Sequence, residues 1–265
     1  MREGDASDSE LKRKEDPATA RQEKSAKSQI ESILIDVGNT AIKWQGRLNG
    51  EPVNGGAGTV DELLRWLRGL GDISQVEFGV SCVRNESVAA DLEQALREKG
   101  CESVTFARST RECRGIISAY DNPAALGVDR WLALLSLKSH GHDSGIVADV
   151  GTACTIDILE GGQHVGGFIL PGPSMACHSL VANTDKIRFS KEPPVSLAPG
   201  TDTGACVVGG AWLSIASAIK EVTQQYPGLP LYLTGGAAPT LVELGLDGIL
   251  ASDLIFDGLD FLLHG

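Results

Sequence analysis

The chain has 265 residues, 42% hydrophobic and 22% charged, with a net charge of −12 and six cysteines. That length suits one large domain or two smaller ones, and the balance is that of a folded, soluble protein. The acidic excess without a dense Lys/Arg block argues against nucleic acid as a partner. The chain shows no apolar run of about 18 residues and so predicts no membrane span, and cysteines without C-x-x-C spacing predict neither a zinc site nor a disulfide framework.

Residues 1–29 mix Lys, Arg, Glu, Asp, Ser and Ala with almost no large apolar side chain. Such a segment cannot bury enough surface to offset its ordering entropy, which predicts a disordered extension. It has no apolar stretch of signal-peptide type, and the cysteines read as reduced thiols, so the expected compartment is the cytoplasm.

An N-terminal domain over 30–143 opens with strands at Ile33–Val37 and Ala41–Leu48, and the Gly-rich run Gly50–Gly58 reads as a connection. Leu63, Leu64, Leu67 and Leu70 recur at helical spacing over Asp61–Leu70. A strand at Val76–Val83, a helix at Val88–Lys99, a strand at Ser103–Ala107 and an apolar helix at Arg130–His140 follow. The C-terminal domain over 144–265 repeats the plan, with strands at Gly145–Val150, Ala153–Leu159 and Val165–Leu170, the last stopped by Pro171-Gly172-Pro173. Helices are expected at Ser174–Ala182, at Ala205–Gln225 and over Pro239–Leu244, with a strand at Leu229–Leu233 and a terminal segment over Ile249–Leu263. Strands first and crossover helices afterwards, twice over, indicate an α/β fold of two duplicated domains.

Two turns carry the chemistry. Asp36-Val37-Gly38-Asn39-Thr40 follows Ile33-Leu34-Ile35, and Asp149-Val150-Gly151-Thr152-Ala153 follows Ile146-Val147-Ala148. Each places a carboxylate, a glycine and a hydroxyl at the end of an apolar strand. A carboxylate there can orient Mg²⁺, and the exposed N–H groups and hydroxyls can meet phosphate oxygens. Lys43 adds a positive charge one hairpin away, Thr152 and Thr155 are phosphate donors, and Asp157 is a weaker cation ligand of the same parity as Thr155. A single turn of this type is also an ordinary Asp-Gly strand end; the pair points to two domains facing one nucleotide.

The segment from Tyr120 to Gly127-Val128-Asp129-Arg130 has two readings. In the plain one, Asp129 caps a helix and Arg130 is a surface charge. In the sharper one, Asp129 is a general base for a substrate hydroxyl and Arg130 clamps a substrate carboxylate or phosphoryl oxygen. The five histidines form no ligand spacing, Trp44, Trp66, Trp131 and Trp212 read as core or interface anchors, and Ser174 lacks a nucleophile-elbow context. No G-x-x-x-x-G-K-S/T loop occurs, so a P-loop kinase is excluded.

These two turns, the Tyr120–Arg130 block and Gly166-Gly167-Phe168-Ile169-Leu170-Pro171-Gly172 together resemble type III pantothenate kinase, a family that includes Bvg accessory factor proteins. The resemblance covers residues 32–263. It implies two ribonuclease-H-like domains of the actin-like ATPase superfamily with a nucleotide cleft between them. It also implies transfer of the ATP γ-phosphoryl group to pantothenate, giving 4′-phosphopantothenate, the first step of coenzyme A biosynthesis. By likeness, Asp36, Val37, Gly38, Asn39, Thr40, Ala41, Ile42 and Lys43 hold the ATP phosphates with Thr152, and Asp129 accepts the hydroxyl proton. Tyr120, Gly127, Val128, Asp129, Arg130 and Thr203 line the pantothenate site. Asp149 resembles the ligand of an activating monovalent cation, K⁺ or NH₄⁺, acting beside Mg²⁺. Thr234-Gly235-Gly236 resembles the adenosine loop, and a homodimer with substrate near its interface is expected. The chain departs from the family pattern at Thr184-Asp185-Lys186-Ile187-Arg188, where members often carry Thr-Ala-x-Leu-Pro, and in its extension. Alternatives are a regulatory protein of the accessory-factor type, which would be free to lose the three carboxylates, and another small-molecule kinase of the superfamily.

Overall fold

The computed structural model describes residues 30–182, 188–189 and 192–265. The extension over 1–29 and the departure at 184–187 lie outside the described residues.

The first sheet starts as a meander. β1 (Ser32–Val37) pairs antiparallel with β2 (Ile42–Leu48), setting Asp36 opposite Lys43. β3 (Glu51–Gly58) runs back along β2. Sequence patterning predicts a connection here, yet the glycines serve a strand. A Cβ at Gly55 would lie 2.4 Å from the Trp44 carbonyl oxygen, and one at Gly56 2.8 Å from its ring. Only glycine lets this edge strand lie against the indole. Helix α1 (Val60–Arg68) begins in a capping box between Thr59 and Glu62 and buries Leu63 and Leu67. β4 (Glu77–Cys82) then adds parallel to β1. Helix α2 (Glu86–Arg97), capped by the Asn85 side chain, buries Leu92 and Leu96, and β5 (Ser103–Phe106) adds parallel to β4. The strand order is β3-β2-β1-β4-β5.

Two short strands, β6 (Glu112–Cys113) and β7 (Ile116–Ile117), precede helix α3 (Val128–Ser139). The second meander is β8 (Gly145–Val150), β9 (Ala153–Glu160) and β10 (Gln163–Pro171). Helices α4 (Pro173–Ala182) and α5 (Thr203–Gln225) lead to β11 (Leu231–Thr234), then α6 (Ala238–Glu243), β12 (Ile249–Leu250) and α7 (Leu254–His264). The order is β12-β11-β8-β9-β10-β7-β6. Its first five strands repeat the other sheet: β8 and β9 stand as β1 and β2, and β11 and β12 join in parallel as β4 and β5 do. β6 and β7, from the first half of the chain, extend this second sheet.

The two sheets enclose a middle layer made by α3 and α7, and the alternation of side chains along each strand sorts residues between layers. On β1, Ile33, Ile35 and Val37 face the α1/α2 side, while Leu34 joins the middle core with Trp131, Leu132 and Leu259. On β8, Ile146, Ala148 and Val150 face α5, while Val147 joins the middle core. By the same parity Asp36 and Asp149 stand on the inner faces, at the strand ends. Helices α3 and α7 touch closely: a Cβ at Gly258 would lie 2.1 Å from the Leu132 carbonyl oxygen.

Helix α5 is long and apolar enough, by length and composition, to cross a membrane, although small and polar residues interrupt its apolar run. Its face of Val208, Ala211, Trp212, Ile215 and Ile219 is packed into the second core, as its periodicity predicts. All six cysteines are free thiols: Cys101, Cys154 and Cys177 are buried, Cys82 and Cys113 are half-buried, and Cys206 is exposed.

Candidate active site

The two Asp-Gly turns face each other. Thr40 Oγ1 and Thr152 Oγ1 share a hydrogen bond of 2.8 Å although 112 residues separate them. In the first turn the Gly38 N–H donates to the Ala41 carbonyl at 3.1 Å; in the second, Gly151 donates to Ala153 at 2.9 Å. Both loops are thus closed by their own backbone, with Asn39, Thr40 and Thr152 left exposed. Lys43 is exposed across from Asp36, and Thr155 pairs across from Asp149.

Asp129 completes a set of three carboxylates at the end of the middle layer. Burial is the main cause pushing Asp36 up to about 6, reinforced by the Asp129 charge and opposed by the Ser81 hydroxyl and Lys43. Asp149 is likewise pushed up to about 6, by burial first and then by Asp129 and Asp36, with Lys43 opposing. Asp129 is raised too, chiefly by burial. Three mutually repelling carboxyl groups thus share one nearby lysine. That shortage of positive charge is what a bound cation relieves. Among the described residues no three His, Cys, Asp or Glu side chains gather closely enough to hold a metal alone. Carboxylate oxygens are the donor type Mg²⁺ takes, so these side chains are chemically compatible with it.

Neither plain reading of the Asp129-Arg130 pair survives. The α3 N-cap is Gly127, with no side-chain cap, and Asp129 sits in the first turn, where its Oδ1 accepts from the Arg130 N–H at 2.8 Å. A Cβ at Gly127 would lie 2.6 Å from that same Oδ1. Arg130 is buried rather than on the surface. Its Nε and Nη2 donate to the two oxygens of Asp157 at 2.7 and 2.5 Å, and its Nη1 donates to the Tyr120 hydroxyl at 3.0 Å. His164 Nε2 meets Asp157 Oδ1 at 2.9 Å, and the His164 ring stacks with Tyr120, centroids 6.0 Å apart. Asp157 is thus the counter-ion of Arg130 and not a free cation ligand. A bulge between His164 and Gly166 turns this strand, and a Cβ at Gly167 would strike Asp157 and Arg130. Sequence reasoning missed His164 in this cluster; the only signal was its position two residues before a Gly-Gly pair.

The remaining expected residues divide. The Thr234-Gly235-Gly236 turn meets the second Asp-Gly turn: Thr234 pairs with Asp149, and Gly235, at φ +87°, passes so close that a Cβ would lie 2.3 Å from Asp149 Oδ1. Beside it a cavity of about 390 Å³ is lined by Gly151, Pro173, His178, Trp212 and Gly236. Thr203 belongs to another part of this half of the chain. It is exposed at the start of α5 and lines a groove between α4 and α5 with Ser179 and Cys206.

Duplicated halves, each opening on an Asp-Gly strand end, define an actin-like ATPase fold of two domains. MreB5 of Spiroplasma citri bound to ADP shares this fold, with a TM-score of 0.50 at 11% identity over 88% of this chain and 96% of that one. So does a Baf family protein from Campylobacter jejuni, with a TM-score of 0.60 at 22% identity over 87% and 96% of the two chains. The chain belongs to the type III pantothenate kinase family, whose model matches residues 32–225. A type III pantothenate kinase of Marinobacter nauticus is 36% identical to it over 236 residues, 86% of this chain and 96% of that one.

Proposed function

We propose that this family member transfers the γ-phosphoryl group of ATP to the primary hydroxyl of pantothenate, giving 4′-phosphopantothenate. The observation that carries this reading is the convergence of Asp36, Asp129 and Asp149 where Thr40 and Thr152 meet. The hydroxyls and backbone N–H groups of the two turns bind the phosphates, and Lys43 adds charge to them. Asp129 accepts the hydroxyl proton as the oxygen attacks in line; its raised affinity for a proton suits a base working near neutral pH. The Arg130–Asp157–His164 cluster holds the Tyr120 hydroxyl and leaves the outer N–H groups of Arg130 for the acceptor. Gly235 and the adjoining cavity suit the adenosine. Mg²⁺ beside Asp36 and K⁺ or NH₄⁺ beside Asp149 would supply the positive charge that the carboxylates and phosphates lack. Positioning and charge stabilisation then account for most of the rate, as in other phosphoryl transfers.

Exposed Val165, Phe168 and Ile169 on β10, with Thr203 in its separate groove, support a homodimer in which the second subunit lies near the acceptor site. The test is ATP-dependent phosphorylation of pantothenate by purified protein with Mg²⁺, in K⁺ and in Na⁺. Product that depends on K⁺ is expected. Absence of product from folded protein that still binds ATP rejects pantothenate as acceptor, and equal rates in the two salts reject the cation at Asp149.

A further inference from the structure

Charge near the phosphate turns does not balance with the residues named so far. ATP brings several negative charges to a place that already holds Asp36, Asp129 and Asp149. Among the described residues, Lys43 is the one basic side chain that acts on both turn carboxylates, and the charge of Arg130 is matched by Asp157. A second basic group stands at the rim. β4 leaves the sheet beside β1, with the Val83 N–H donating to the Val37 carbonyl at 3.3 Å, and the next residue is Arg84. Its Nη2 donates to the Asn39 carbonyl, in the middle of the first phosphate turn, at 2.7 Å. Arg84 is exposed and, among the described residues, no carboxylate pairs with it. The guanidinium is a planar fork of five donors, so one bond to a backbone carbonyl leaves others directed outward. The ends of parallel strands in an open α/β sheet are also where ligands bind.

We infer that Arg84 is a further phosphate-binding residue: it ties down the Asn39 carbonyl with one N–H and bonds the β- or γ-phosphate oxygens of the nucleotide with others. This rests on the 36–43 turn being the phosphate site and does not depend on the identity of the acceptor. It gives the donor phosphates a second cation beside the first turn. A guanidinium is suited to this, because it meets two phosphate oxygens at once where a lysine meets them as a point charge.

The test uses full-length Arg84→Gln and Arg84→Lys proteins, whose exposed substitution leaves the fold intact. Calorimetric binding of ADP and AMP, and steady-state rates with varied ATP and with varied pantothenate, are compared with wild type. Loss of a charge-assisted hydrogen bond predicts a roughly 10- to 100-fold loss for Arg84→Gln in ADP affinity and in kcat/KM for ATP. AMP affinity and the KM for pantothenate should stay unchanged, and Arg84→Lys should recover part of the loss. The dependence of ADP affinity on salt should be shallower in Arg84→Gln, which a purely mechanical tie to Asn39 would not produce. Wild-type ADP affinity in Arg84→Gln, or an equal loss for AMP and ADP with an unchanged salt dependence, overturns the inference. If wild type does not phosphorylate pantothenate but Arg84→Gln still weakens ADP selectively, the phosphate contact stands and the acceptor reading falls.

Discussion

Thr40 and Thr152, one from each duplicated half of the chain, share a hydrogen bond of 2.8 Å. Each hydroxyl ends a strand–turn unit of the same design, one in each duplicated half. The bond therefore marks a point that nucleotide phosphates would have to enter by separating the two hydroxyls. Four consequences can be measured.

Asp129→Asn should retain ADP binding and lose roughly 10²- to 10⁴-fold in kcat, the usual contribution of a positioned base. Burial already disfavours the ionised carboxylate, so removing its charge should not lower Tm. Retention of most of the activity in a clean preparation would reject Asp129 as the base.

Asp157→Asn should leave the Arg130 guanidinium buried without its counter-ion. Breaking such a pair costs about 3–5 kcal/mol of stability, which denaturant unfolding would register. The double change Arg130→Met with Asp157→Leu should recover most of that stability while pantothenate turnover stays impaired. Equal stability of Asp157→Asn and wild type would contradict the observed burial of both side chains.

Gly235→Ala combines a φ of +87° with a Cβ placed 2.3 Å from Asp149 Oδ1. The expected outcome is a raised KM for ATP together with a weakened response to K⁺, because the same displacement moves the adenosine turn and the carboxylate. A change in the ATP parameters alone would separate the two roles.

Stability without ligands should depend on pH through Asp36 and Asp149. Each binds its proton more tightly folded than unfolded, with a value near 6 against an ordinary 3.8. Their contribution is therefore complete below about 3.8 and is lost as pH rises through 6. Scanning fluorimetry should show Tm falling between about pH 4 and pH 6, and less so in an Asp36→Asn/Asp149→Asn protein. An identical decline in both would assign the pH dependence to other groups.

The two Asp-Gly strand ends were legible because a carboxylate and a glycine at the end of an apolar strand form a purely local pattern. The apolar face of α5 was legible for the same reason, its period matching a helix. The Gly50–Gly58 run misled because its glycines answer to Trp44 on the neighbouring strand, which composition does not reveal. The partner of Arg130 lies 27 residues away, and Asp157 carried only its strand parity as a clue. Arg84 gave no local sign, since its place beside Asn39 follows from β4 adding next to β1.

The middle layer has a consequence for how the chain is made. Arg47 on β2 donates to Asp257 on α7 at 2.6 Å, across 210 residues of sequence, and α7 covers the inner face of β1. The first sheet leaves the ribosome well before the helix that shields one of its faces, which follows some 210 residues later. Until then the inner face of β1 lacks the cover that α7 gives it. Domains usually fold as units in the order of synthesis; here the early half waits for the late one, and a nascent chain stalled before Leu254 should be a target for chaperones.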